Sequence, residues 1–287
     1  MDTYEKLNKM IEHINNMGTL VVAFSGGVDS TFLLKVSADV LRDKVIAVTA
    51  RSSTYPEREF RQAEAFAISL GVKHIVIVSD ELEIDGFAEN PLDRCYFCKL
   101  ELFKKIKEVA RQHGITYVAD GSNTDDTRDY RPGMKAIKEL DVVSPLKEAG
   151  MSKEDIRLLS KEMGLPAWNR QAFACLASRF PYGHKITSEK LEMVDRAEQF
   201  LLDLGFNQIR VRHHGDLARI EVGSSELKRF FLEDLMEPVY NELRKIGFTY
   251  VALDMKGYRT GSMNEAITEV SINNKYLLSS RVTRNHF

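Results

Sequence analysis

Two sets of residues in this chain have the types and spacing to do chemistry. The first is Ser25-Gly26-Gly27-Val28-Asp29-Ser30. Adjacent glycines allow positive φ and let a ligand approach the backbone closely. Two hydroxyls and a carboxylate flank them, so hydrogen bonding and magnesium contact are both available. The apolar run Leu20-Val21-Val22-Ala23-Phe24 precedes the glycines, and Thr31-Phe32-Leu33-Leu34-Lys35-Val36 reads as helix after them. Strand, glycine turn and helix together aim backbone N–H groups at one point, which binds anions and phosphate above all. The second set is Cys95-Tyr96-Phe97-Cys98 with Cys175. A C-x-x-C pair can be a redox dithiol, half of a metal site or two unrelated cysteines. Cys175 alone reads as a small buried hydrophobe. Three thiolates could hold three irons of a [4Fe–4S] cluster and leave the fourth open. Zinc competes, with His184, nine residues after Cys175, able to complete a Cys₃His set.

The glycine loop is not G-x-x-x-x-G-K-[ST], because no lysine follows the glycines, and it is not G-x-G-x-x-G. S-G-G-x-D-S after a first strand resembles the pyrophosphate loop (PP-loop) of the ATP pyrophosphatases, which split ATP between the α and β phosphates.

Hydrophobic periodicity supplies the elements that must position these groups. Leu7, Met10, Ile11 and Ile14 recur at helical spacing over residues 2–17. Strands are expected at 19–24, 44–50, 73–78, 115–119 and 141–144, with helices at 30–41, 56–70, 92–113, 132–140 and 152–163. The last helix is capped by Ser152, with Asp155 as its capping-box partner. This alternation predicts an α/β fold, a doubly wound parallel five-stranded sheet with helices on both faces. Ligands then lie at the carboxyl ends of the strands, where Ser25–Ser30, Thr49–Thr54, Ser79–Leu82 and Asp120–Asp125 fall. Residues 167–186 show no clear period and read as a functional loop or linker. A smaller α+β domain follows. It holds a helix at 187–204, a hairpin of strands at 208–213 and 217–222, helices near 225–246 and a strand at 249–254. His213 and His214 read as a solvent-facing turn pair. The expected division is 1–166, 167–186 and 187–287, and the tail after Ile267 is polar.

The chain has 287 residues and a formal net charge of −2, which argues against a broad nucleic-acid surface. No apolar run approaches the ~20 residues that span a bilayer. The first residues lack the apolar centre of a signal peptide, so a cytoplasmic protein is expected. Three cysteines do not suggest a disulfide framework.

Further motifs occur in order after the glycine loop: Arg94-Cys95-Tyr96-Phe97-Cys98-Lys99, Asp120-Gly121-Ser122-Asn123, Ala174-Cys175-Leu176-Ala177-Ser178-Arg179, Ile209-Arg210-Val211-Arg212 and Gly257-Tyr258-Arg259-Thr260-Gly261. Together they resemble the LarE family, ATP-dependent sulfur transferases that mature the nickel-pincer nucleotide cofactor of lactate racemase. The resemblance runs to about residue 265. It implies that a carboxylate of pyridinium-3,5-biscarboxylic acid mononucleotide attacks the α-phosphorus of ATP and that sulfur then displaces AMP. Some members sacrifice one cysteine, at the position matching Cys175. Others have three and hold a [4Fe–4S] cluster whose open iron can carry a hydrosulfide. Cys95, Cys98 and Cys175 together favour the cluster, while the sacrificial route stays open.

The resemblance also implies roles. Ser25, Gly26, Gly27, Asp29 and Ser30 bind the ATP phosphates, with Asp29 near Mg²⁺. Arg51 and Ser52 meet the adenosine. Gly121, Ser122, Asn123 and Asp125 line the nucleotide. Arg210 and Arg212 alternate to one strand face and suit the substrate's phosphate, with Arg259, Glu198 and Glu221 as further substrate contacts. Surface charge is the bland reading of the two arginines. Sulfide or a sulfur-donor protein is the expected partner, with a homo-oligomer, no stable nucleic-acid complex and no membrane. The alternatives are a tRNA thiolation enzyme, an ammonia-using ligase like NAD synthetase, and a non-catalytic nucleotide or iron–sulfur sensor.

Overall fold

The computed structural model describes residues 1–127, 132–170, 174–259 and 261–264. Thr260 of the quoted motifs, and the tail after Ile267, lie outside the described residues.

The chain runs α1 (Thr3–Met17), β1 (Leu20–Ala23), α2 (Val28–Leu41), β2 (Val45–Arg51), α3 (Glu57–Ser69), β3 (Lys73–Val78), α4 (Arg94–Gln112), β4 (Tyr117–Ala119), α5 (Gly133–Glu139), α6 (Pro145–Glu148), α7 (Lys153–Glu162), α8 (Ser188–Asp203), β5 (Ile209–His214), β6 (Leu217–Val222), α9 (Arg229–Leu232), α10 (Met236–Ile246) and β7 (Tyr250–Leu253). It divides into two compact units, residues 1–177 with 182–192, and residues 178–181 with 193–287.

In the first unit four strands pair in parallel in the order β3-β2-β1-β4. Alternation along β1 sends successive side chains to opposite faces. Leu20 and Val22 pack with Met10, Ile14, Phe32, Leu33, Ile156 and Leu159 of α1, α2 and α7. Val21 packs on the other face with Phe103, Ile106, Val109 and Ile137 of α4 and α5. Helices therefore cover both faces, as a doubly wound sheet requires. At the expected fifth strand, Val143 makes a single parallel bridge to Ala119. The segment is cut short by Ser144 and Pro145, where α6 begins.

The order of the strands creates a switch point. β1 has β2 on one side and β4 on the other, so the connections after β1 and β4 diverge and leave a crevice at the carboxyl edge. Both the glycine loop and the Asp120–Asp126 turn open onto it. Buried Asp120 ties that turn together, accepting from Ser122 Oγ at 2.5 Å and Ser144 Oγ at 2.6 Å.

The second unit has a three-stranded sheet, β5-β6-β7, antiparallel then parallel. His213 is not solvent-facing. It is buried, stacked on Phe180 at 5.0 Å and close to Phe248 at 5.4 Å. Its register against Ala218 puts it inside the hairpin rather than at its tip.

The cap of α7 is also an anchor. Asp155 accepts from Ser152 N at 2.9 Å, Thr3 Oγ1 at 2.6 Å and Lys6 Nζ at 2.7 Å, joining α7 to the first turn of α1. Burial raises the carboxyl's pKa, but these donors outweigh it and hold it well below the usual range. Stability from this depressed group is present above the unfolded value of about 4 and is lost as pH falls further. Asp155→Asn should lower stability at pH 7 by about 1–3 kcal/mol and flatten its loss on acidification. Urea unfolding at pH 7 and pH 3 reads both, and an unchanged acid slope would contradict this account.

Candidate functional site

The glycine loop is shaped by its own hydroxyls and braced from outside. Ser30 Oγ donates to Gly27 O at 3.1 Å and accepts from Ser25 N at 3.3 Å. Gly26 has φ +66°, and a Cβ there would lie 3.0 Å from the Ala63 Cβ, so both conformation and space call for glycine. Tyr55 Oη donates to Ser25 O at 2.7 Å, and Arg170 Nη1 donates to Gly26 O at 3.0 Å. Arg170 also pairs with Glu59 of α3 at 3.5 Å. With these carbonyls engaged and α2 starting at Val28, the loop carries the partial positive charge of a helix N-terminus.

The turn after β4 packs directly on that helix start. A Cβ on Gly121 would lie 3.1 Å from Ser30 N. Asn123 Oδ1 accepts from Asp125 N at 2.9 Å, and Asp125 Oδ2 accepts from Lys153 N at 2.8 Å. Asp29 points into the same place, paired with Lys153 Nζ at 2.5 Å. Burial raises its pKa, opposed by Lys153. Its Oδ1 is buried and makes no hydrogen bond. Arg51 does not join this group. Its side chain is exposed and turns to Glu57 at 2.9 Å and to the Phe60 ring at 5.3 Å. Ser52 Oγ lies 3.1 Å from Thr54 Oγ1.

The cysteines belong to the same unit. Cys95 and Cys98 occupy the first turns of α4, whose N-terminus faces the carboxyl edge. Cys175 is held by its neighbour, Leu176 N donating to Thr54 O at 2.9 Å just beyond β2. The Cys98 thiol is pushed up by burial, then by Cys175, by buried Glu81 and by Cys95, so it feels both other sulfurs. No disulfide joins the three. Among the described residues no three His, Cys, Asp or Glu side chains are grouped to hold a metal ion, and His184 is exposed. A mononuclear Cys₃His site is therefore absent among them.

The second unit gathers arginines. Arg210 and Arg212 are buried rather than on the surface. Arg212 donates to Glu221 Oε2 at 2.8 and 3.0 Å, to Ser178 O at 3.1 Å and to Ser262 Oγ at 3.0 Å. Arg210 lies over Tyr258 at 5.1 Å, and burial, then repulsion from Arg179, push its pKa down to about 10. Arg179, fully buried, binds Glu198 at 2.8 and 3.0 Å, and Glu198 also accepts from Val211 N at 3.0 Å. Burial opposes ionisation of Glu198, but Arg179 and then Arg210 hold its pKa below the usual range. Arg219 pairs with Glu221 at 2.9 Å, and Arg259 with Asp254 at 3.1 Å.

Residues 2–89 match the NAD synthase family. An uncharacterised protein of Synechocystis is 41% identical over 264 residues, 92% of this chain and 98% of that protein. The pyridinium-3,5-bisthiocarboxylic acid mononucleotide synthase of Lactiplantibacillus plantarum is 38% identical over 264 residues, 92% of this chain and 95% of that enzyme. The chain belongs to the LarE family. An uncharacterised protein of Methanocaldococcus jannaschii is 27% identical over 260 residues, 88% of this chain and 98% of that protein. The α/β unit with its glycine loop is the PP-loop fold of this LarE chain.

Several groups in the LarE chain escape a reading by motif. Lys153, Arg170, Tyr55 and Glu81 stand far in sequence from the groups they meet. Arg179 lies inside the motif around Cys175, but nothing local says that its partner is Glu198. Arg219 carried only a strand-alternation signal.

Removing one partner of a buried pair strands the other charge. Glu198→Gln should cost about 3–5 kcal/mol, measured by denaturant unfolding. Arg179→Met combined with Glu198→Leu should cost less than Glu198→Gln alone. A larger loss in the double variant would show that the pair does not act as a unit.

Proposed function

We propose that this chain is an ATP-dependent sulfur transferase. It adenylates the carboxylates of pyridinium-3,5-biscarboxylic acid mononucleotide and converts them to thiocarboxylates. The observation that carries this is the presence, in one compact unit, of the glycine loop at the β1–β4 crevice and of three thiols, of which Cys98 feels both others. Membership in the LarE family supports the choice of substrate.

The reaction has two displacements. A substrate carboxylate oxygen bonds to the α-phosphorus of ATP while the bond to the β-phosphate oxygen breaks, giving acyl-adenylate and pyrophosphate. Sulfide then bonds to the acyl carbon and AMP departs with the C–O electron pair, leaving the thiocarboxylate. The loop N–H groups and the α2 N-terminus stabilise the departing pyrophosphate. Mg²⁺ fits this site through its donors. Asp29 Oδ1 is a buried carboxylate oxygen without a hydrogen bond, and hard cations take such ligands. Ser122 and Asn123 shape the nucleotide side, and Ser52 lies beside Thr54 near the adenosine. Arg51, at the end of β2 and paired with Glu57, meets the adenosine from the same side.

Arg210, Arg212 and Arg259 bind the mononucleotide phosphate. Guanidiniums outnumber carboxylates in their cluster, and the repulsion felt by Arg210 is what a bound anion would relieve. Glu221 positions Arg212 through their ion pair, and Glu198, paired with Arg179, attracts Arg210.

Cys95, Cys98 and Cys175 suit a [4Fe–4S] cluster. They are soft donors in one unit, and the Cys98 thiol feels both of the other sulfurs. Such a cluster, when bound, supplies an iron without a protein ligand, able to take up sulfide. Leu176 N on Thr54 O fixes the backbone next to Cys175.

Anaerobically purified protein should be brown and contain iron. Intact-mass measurement after reaction with ATP, substrate and sulfide should show an unchanged chain and more than one thiolated product per chain. Cys98→Ala should end repeated turnover while pyrophosphate release persists. Loss of H₂S from Cys175 would mean sacrifice of that cysteine instead. Many turnovers by colourless, iron-free protein would overturn the cluster reading.

A further inference from the structure

A buried cation without an anion stands at the start of α4. Arg94 opens that helix directly before Cys95, and only 4% of it is exposed. Its Nη1 donates to Asn90 Oδ1, and its guanidinium lies over the Tyr182 ring at 5.0 Å. Its Nε is buried and makes no hydrogen bond, and among the described residues no carboxylate pairs with it. Leaving a buried charge uncompensated is strongly unfavourable. The surroundings nevertheless hold it there. Asn90 is fully buried and adopts φ +55°, a left-handed conformation that asparagine tolerates better than most residues. Its backbone carbonyl accepts from Gly183 N at 2.9 Å, and Ala88 O accepts from Ile186 N at 2.7 Å. The guanidinium is therefore clamped between the segment before α4 and the segment that follows the Cys175 motif.

Groups that are or become negative gather beside it. Cys98 stands four residues after Arg94, so the two share one face of α4. Helical side chains lean toward the N-terminus, which brings the Cys98 thiol back over the turn that Arg94 opens. That thiol feels Cys175, Glu81 and Cys95. Glu81 is buried, accepts from Thr54 Oγ1 at 3.2 Å, and has no cationic partner among the described residues. Lys99 opposes these groups but is only half-buried. Three thiolates outweigh the charge of an oxidised four-iron core, and a bound hydrosulfide makes the assembly more negative still. Away from water, such charge needs a fixed counter-ion.

We propose that Arg94 is the counter-charge of the thiol site: its buried guanidinium balances the cluster held by Cys95, Cys98 and Cys175 and favours the uptake of hydrosulfide there. The interaction is electrostatic, and no covalent bond changes at Arg94. Arginine suits the task, because a guanidinium is weakly hydrated and always charged. The missing partner of Arg94 in the empty protein and the excess negative charge of the loaded site are then two halves of one balance. This role rests on the reading of the three thiols as cluster ligands.

The test uses the full chain, purified and reconstituted without oxygen, as wild type, Arg94→Met and Arg94→Lys. It measures iron release to a chelator, the affinity of the iron-loaded protein for inorganic sulfide from its visible spectrum, and thermal melts of the iron-free and iron-loaded forms. Arg94→Met should speed iron release and weaken sulfide binding by about tenfold each, and Arg94→Lys should keep most of both. Iron-free Arg94→Met should melt no lower than iron-free wild type, because an apolar chain replaces an unpaired buried charge. The iron-loaded variant should melt below iron-loaded wild type. Iron release and sulfide affinity unchanged in Arg94→Met overturn the role of Arg94 alone, and so does an equal loss of stability in both forms, which would make the residue structural. Wild-type protein that takes up no iron overturns the cluster reading as well.

Discussion

The first unit depends on the divergence of two connections at neighbouring parallel strands. Because β1 is flanked by β2 and β4, the loop after β1 and the turn after β4 open side by side. Their contact is tight enough that a Cβ on Gly121 would crowd Ser30 N. That closeness explains the rest of the edge. It brings Asn123 near Asp29, seats Asp125 on the start of α7, and so delivers Lys153 to the loop. Tyr55 and Arg170 brace the other side by taking the carbonyls, which leaves the N–H groups for an anion.

The two units treat charge in opposite ways. Around the glycine loop carboxylates prevail, and burial raises the pKa of Asp29 against the opposing charge of Lys153. Such a place favours cations, and it accepts a polyphosphate only with compensating charge. In the second unit guanidiniums prevail, and burial with mutual repulsion lowers Arg210. Such a place favours an anion over a cation. The half-buried thiols form a third environment, in which desolvation and then Cys175 push the Cys98 thiol up.

Much of the fold was legible because its helices and strands carry their own signals. The β-branched run of β3, the alternating β5–β6 hairpin and the Ser152–Asp155 capping box stand within a few residues of where the sequence puts them. The fifth strand was less legible. Asp141–Ser144 has strand character, but its pairing is limited to one bridge by the turn into α6. His213 was misread because its neighbours His214 and Gly215 suggest a turn, while burial depends on Phe180 and Phe248, distant in sequence. Arg51 stands after β2 as its sequence position suggests, with its guanidinium on Glu57 and over the Phe60 ring.

The sequence by itself determined the chemistry that is available: an anion-binding strand–glycine–helix turn, three soft donors, paired arginines on a strand and an alternating α/β pattern. These follow from local spacing, because hydrogen-bonding, φ freedom and hydrophobic period act within a few residues. Only the tertiary structure decided which groups meet. It set Lys153 against Asp29, Arg179 against Glu198, and Cys95, Cys98 and Cys175 within reach of one another. Ion pairs and donor sets of this kind are formed by chain crossings that bring distant side chains within a few ångströms. No local pattern encodes such a crossing, since burial and partner choice belong to the packed whole.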